Sequence, residues 1–144
     1  METGVHSGAN GVVVLSGDVF ALTGWMRSKL GQAPQAMSWR IEGGVLTDYR
    51  IEPVVLAEGR GLSRDREGNL VVASLMTNGG QLDAWSFAFA GWAAPKVWNA
   101  VPYGTSEGWD GYTAVTCTSW GYCLDGGFVT IDGGLVGLLR LHNP

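Results

Sequence analysis

The chain predicts an all-β fold: an antiparallel β-sandwich or small β-barrel of roughly ten short strands, with at most one short helix. Three observations carry that reading. Long helical periodicity is nearly absent, apolar runs are short, and glycines (23 among 144 residues) punctuate those runs at turn spacing. The length fits one domain, so residues 1–144 are read as a single β domain with a core of its own.

In chain order, candidate strands fall at 12–16, 18–23, 36–41, 45–50, 53–57, 70–76, 82–90, 96–101, 112–119, 128–131 and 135–141. The stretch 23–30 reads either as a helix stopped by Gly31, with Pro34 beyond, or as a continuation of the strand before it. Arginines 60, 64 and 66 are interleaved with Asp65 and flanked by Glu58 and Glu67, which reads as a solvated loop of near-neutral charge. The strand at 82–90 alternates most clearly. Trp85, Phe87 and Phe89 point to one side; Ala84, Ser86, Ala88 and Ala90 form a flat side that another backbone can approach.

One turn signature recurs. Glu42-Gly43-Gly44, Asp125-Gly126-Gly127 and Asp132-Gly133-Gly134 each sit between apolar residues, with Asn78-Gly79-Gly80 as a relative. Glycine tolerates the positive φ of tight hairpins, and Asp or Asn tolerates it next best, so all of these are expected as turns. Each of the three acidic copies supplies one carboxylate, too few for a calcium loop. The last two copies would bracket a strand of only four residues, 128–131.

Charge narrows the function classes. Apolar residues make up 46% and charged residues only 15%, against about 25% charged in an average domain. A surface so poor in charge points to burial in an assembly. The net charge is −4, with no basic stripe, which argues against nucleic-acid binding. The start of the chain lacks the basic segment and long apolar core of a signal peptide, and no run is long enough to span a membrane. Two histidines and two cysteines match no zinc spacing, and no phosphate-binding loop is present, so no cofactor or metal is expected.

Three candidate sites remain. Gly104-Thr105-Ser106-Glu107-Gly108 matches the G-x-S-x-G string of serine hydrolases, but Trp109-Asp110-Gly111 follows where a helix is required, and only His6 and His142 are available as a base. The expectation is that the chain is not an enzyme. Cys117 and Cys123 flank a five-residue segment; they form either a disulfide across a hairpin or two small half-buried thiols, and cysteine's packing habits favour the thiols. Aromatic residues concentrate between Trp85 and Tyr122. Within that cluster, Tyr103 and Trp109 sit in a Gly/Ser-rich segment beside Glu107 and Asp110, which suits an interface anchor or a sugar contact.

The segment 9–18 (ANGVVVLSGD), the run 125–139 (DGGFVTIDGGLVGLL) and the low charge together resemble virion structural proteins of tailed bacteriophages, such as tail-fibre, tail-tip and capsid-decoration subunits. The resemblance implies a non-catalytic subunit, made in the host cytoplasm without a signal peptide and repeated in a virion beside copies of itself and other virion proteins. A bacterial lectin-like module, which would bind cell-surface glycan, is similar at the same level.

Overall fold

The computed structural model describes residues 6–28, 32–55, 57–78, 81–89, 92, 101–103 and 108–143, with strand residues 52–55, 76–78, 81–83, 85, 87–89 and 101–103 described by their backbone alone. The described residues form three antiparallel sheets, contain no helix, and close no barrel. The first sheet is a meander of β1 (His6–Ser16), β2 (Val19–Arg27), β3 (Gln35–Glu42) and β4 (Val45–Val55). The second runs in order through β5 (Ala57–Arg64), β6 (Leu70–Asn78), β7 (Gln81–Phe89) and β8 (Val101–Tyr103). The third has the order β11-β10-β9, built from β9 (Gly111–Cys117), β10 (Cys123–Ile131) and β11 (Gly134–His142).

Side-chain contacts give the layer order. Leu62, Leu70 and Val72 lie on one face of the second sheet and pack with Ala21, Val13 and Leu15 of the first sheet and with Trp92. Ala73 and Ala84, on its opposite face, pack with Tyr112, Val115 and Leu138 of the third. The second sheet is therefore the middle layer. Its strand β6 is buried from Leu70 through Leu75, as a near-continuous apolar run requires when both faces are covered.

β5 is the point of closest approach on both sides. A Cβ added at Gly59 would sit 2.0 Å from Thr23 Oγ1 of the first sheet, and one at Gly61 would sit 2.8 Å from Ala114 Cα of the third. Polar ties reinforce the contact: the Asn10 side chain, at a bulge in β1, donates to the Gly59 carbonyl at 2.8 Å, and the Cys117 amide donates to Ser63 Oγ at 3.0 Å.

Several elements differ from the sequence reading, for identifiable reasons. The stretch 23–27 continues β2 rather than forming a helix: Thr23 and Trp25 pair with Ser38 and Ala36, and Gly24 disfavours helix. Residues 29–31 lie outside the described residues. The arginine-rich loop begins later than expected, because Arg60 and Arg64 belong to β5, whose glycines and alanine make it flat enough to lie between two sheets. The expected strand at 53–57 divides between β4 and β5, and Pro53 is tolerated because β4 is an edge strand whose register with β3 is irregular there. The expected strand at 96–101 lies outside the described residues except for Val101, the first residue of β8.

The acid-Gly-Gly motifs divide. Gly43 and Gly44, and likewise Asp132 and Gly133, all have positive φ and form two-residue hairpin turns. Asn78 pairs with Gln81, and residues 79–80 of the related motif lie outside the described residues. Asp125-Gly126-Gly127 is not a turn. It runs through β10, which is nine residues long rather than four, and a bulge against β9 falls between the two glycines.

Candidate functional site

The first sheet covers the middle layer with one face and turns the other outward. Outward faces of antiparallel sheets are ordinarily polar. Here the register places two complete cross-strand rows on the outer face: Val12–Leu22–Trp39–Tyr49, and beside it Val14–Phe20–Ile41–Leu46. All eight are apolar or aromatic and none is charged. The rim residues are the most open, with Val12 at 62% and Tyr49 at 60% exposure, while Leu22, Trp39, Phe20 and Ile41 between them are half-buried. Ile51, exposed on the same face of β4, extends the patch.

The third sheet repeats the theme on the other side of the molecule. Leu124, Leu139 and Leu141 are exposed on its outer face, with Leu139 at 74% and lying over Gly126. Both outer layers thus present apolar side chains to water, which monomers seldom do over contiguous areas.

The inner side of β4 holds a separate polar cluster. Asp48 accepts a hydrogen bond from Trp92 Nε1 at 2.7 Å, and the Arg50 guanidinium lies 4.6 Å from the centroid of the Trp92 ring. The indole hydrogen bond, followed by that from the Tyr49 amide, holds the Asp48 carboxyl below the usual carboxylate range. This cluster fixes Trp92 against the first sheet.

The sequence candidates fall as follows. Trp109 is exposed, but its backbone is clamped to β10: its amide donates to Thr130 Oγ1 at 2.8 Å, and that hydroxyl donates back to the Trp109 carbonyl at 2.8 Å. Asp110 is fully buried and accepts the Thr130 amide at 2.9 Å, so its carboxylate secures a backbone junction. Tyr103 belongs to β8, described by its backbone alone, and Glu107 lies outside the described residues. Cys117 and Cys123 face each other directly across β9 and β10 and are joined by a disulfide, so the thiol alternative does not describe them.

Ser106 also lies outside the described residues, but His142 does not. Its Nε2 stands 2.8 Å from Asp125 Oδ2, and Ser86 Oγ donates to Asp125 Oδ1 at 3.4 Å. The carboxylate is central in this group, and the serine is on the carboxylate rather than on the imidazole. Ser86 is buried as well. Among the described residues, this arrangement therefore lacks the serine-to-imidazole contact of a catalytic triad. Among the described residues, no group of three or more metal-ligating side chains gathers, and no helix is long and apolar enough to cross a membrane.

Sequence reasoning missed the apolar face of the first sheet. Its signal was present: strands at 12–16, 18–23, 36–41 and 45–50 each carry apolar residues at both parities, more than one buried face needs. No protein-family model matches the chain, and no curated protein matches it.

Proposed function

We propose that this protein is a non-catalytic structural subunit that works by associating with copies of itself through the outer face of its first sheet. The layered fold is a sandwich-type arrangement extended by one sheet, whose outermost layers serve contact between subunits. The phage-virion setting suggested by the chain's texture accommodates such a subunit beside other virion proteins, and it needs neither cofactor nor catalytic residue.

The observation that carries the reading is the charge-free pair of rows Val12–Leu22–Trp39–Tyr49 and Val14–Phe20–Ile41–Leu46. With strands ~4.8 Å apart and rows ~6.8 Å apart, these rows cover a flat footprint of roughly 250 Å², and the whole face about twice that. Side chains expose more surface than their footprint, so the face with its rim approaches the ~800 Å² per partner of a standard interface. A second copy is the occupant that suits the face, because it carries no charge by which a different partner would be selected. Two such faces can meet around a two-fold axis.

The test is the native mass of purified protein across a concentration series, compared with Val12→Lys/Tyr49→Lys. Both positions are exposed, so the variant is expected to fold normally and to lose self-association. A wild-type protein that stays monomeric at high micromolar concentration would remove the proposal.

A further inference from the structure

A second site lies far from that face in sequence, where the β5–β6 turn meets the β9–β10 hairpin. Between them opens a groove of about 330 Å³ lined by Asp65, Arg66, Glu67, Trp120, Gly121 and Asn143. This is at the small end of the range for small-molecule sites.

Both walls are braced by bonds within their own turns, and both expose side chains. On one wall the Cys117–Cys123 disulfide closes the hairpin. Inside it, the Thr118 amide donates to the Tyr122 carbonyl at 2.8 Å, and Thr118 Oγ1 accepts the Trp120 and Tyr122 amides at 3.3 Å each. The loop so secured holds Trp120 at 80% exposure. Burial of the indole thus contributes little to the fold, while the braced loop fixes where the Trp120 backbone sits.

On the opposite wall, Asp65 locks its own turn. Its Oδ1 accepts the Glu67 amide at 2.9 Å and the Asn69 amide at 2.8 Å, and Oδ2 accepts the Asn69 side chain at 2.7 Å. Gly68, with φ +85°, completes the turn. Asp65 is thereby committed to the loop; Glu67 Oε2 accepts the Asn69 side chain at 3.5 Å, and Glu67, Arg66 and Asn143 line the groove with acceptors and donors.

An electron-rich indole face opposed by a carboxylate, a guanidinium and an amide is the complement of a pyranose. The C–H face of the sugar ring lies on the indole, whose π face is negative, while hydroxyls exchange hydrogen bonds with the polar wall. We infer that this groove is a carbohydrate-binding site with Trp120 as the stacking platform and Glu67 and Asn143 as hydroxyl partners. The site stands independently of the assembly proposal, since no residue is shared with the first sheet.

The test uses the intact protein and a panel of methyl glucoside, methyl mannoside, methyl galactoside and N-acetylglucosamine. Each is added at concentrations on the order of tens of millimolar, enough to load a millimolar site. Saturation-transfer NMR reports contact, and the indole N–H resonances report which tryptophan is involved. The expected result is that at least one sugar binds, that the Trp120 resonance shifts, and that Trp120→Ala weakens binding at least tenfold while Trp109→Ala, another exposed indole, leaves it unchanged. Glu67→Gln should weaken it several-fold. Binding by no member of the panel, or binding that survives Trp120→Ala, overturns the inference.

Discussion

His142 Nε2 and Asp125 Oδ2 lie 2.8 Å apart on the inner side of the third sheet, diagonal neighbours on β11 and β10. Asp125 is fully buried, and neither atom has a hydrogen-bonding partner of good geometry. The contact is therefore electrostatic in character rather than a well-formed hydrogen bond. It secures the edge strand β11 to β10 close to its C-terminal end. Asp125 also accepts from Ser86 Oγ, and truncating one side of a buried polar contact costs roughly 1–3 kcal/mol. His142→Ala should lower the urea midpoint by that equivalent with the slope unchanged, and Asp125→Asn should lower it by less. A midpoint within about 0.5 kcal/mol of wild type, the range of ordinary surface changes, would show that the pair is not coupled to folding.

The Trp92–Asp48 hydrogen bond carries a pH signature. Its donor, the indole N–H, favours the ionised carboxylate, so the folded-state pKa of Asp48 is depressed. A depressed pKa gives a contribution that is present above the unfolded value and is lost as pH falls through the folded one. The Trp92 indole N–H resonance should accordingly hold its position from neutral pH down to about 4, the ordinary carboxylate range, and move only below it. In Asp48→Asn that acid-limb movement should be absent. A resonance that titrates equally in both proteins would mean that another group is being read.

Two glycines of the third sheet should respond oppositely to alanine. A Cβ at Gly127 would lie 1.8 Å from the Gly111 carbonyl oxygen, at the bulge between β9 and β10, whereas a Cβ at Gly137 on the edge strand would meet nothing within 4 Å. Gly127→Ala should cost several kcal/mol or prevent folding, as overpacking against backbone does. Gly137→Ala should be neutral or slightly stabilising, because glycine in a strand carries an entropic penalty. Thermal unfolding of the pair settles it; equal midpoints would mean that β9 and β10 do not meet as described.

The all-β class was legible because alternation and turn residues are local signals. The hairpins at Gly43-Gly44 and Asp132-Gly133 follow directly from residue type. Asp125-Gly126-Gly127 carries the same local signal and misleads, because its glycines are needed for a bulge and a close backbone approach that only the neighbouring strand defines. β5 is similar: its arginines read as solvated until Ala57, Gly59 and Gly61 are seen lying between two sheets. The aromatic cluster drew attention to Tyr103, Glu107, Trp109 and Asp110, yet Asp110 is consumed by the Thr130 amide. The rows on the first sheet join residues from four strands, and such a row exists only once the register is known. Trp120 was within the aromatic cluster, but nothing local distinguishes it from a core tryptophan; its exposure depends on the disulfide-closed hairpin.

The central claim is that the outer face of the first sheet is an interface between copies. Sedimentation velocity on the wild type and on Val12→Lys/Tyr49→Lys, across micromolar to high micromolar concentration, tests it most directly. The account predicts wild-type species of at least twice the 15.3 kDa chain mass, and a variant that sediments as monomer with an unchanged unfolding midpoint, although its two lysines reduce the net charge that keeps copies apart. Wild-type protein that remains a monomer throughout, or a variant that assembles like the wild type, would contradict it.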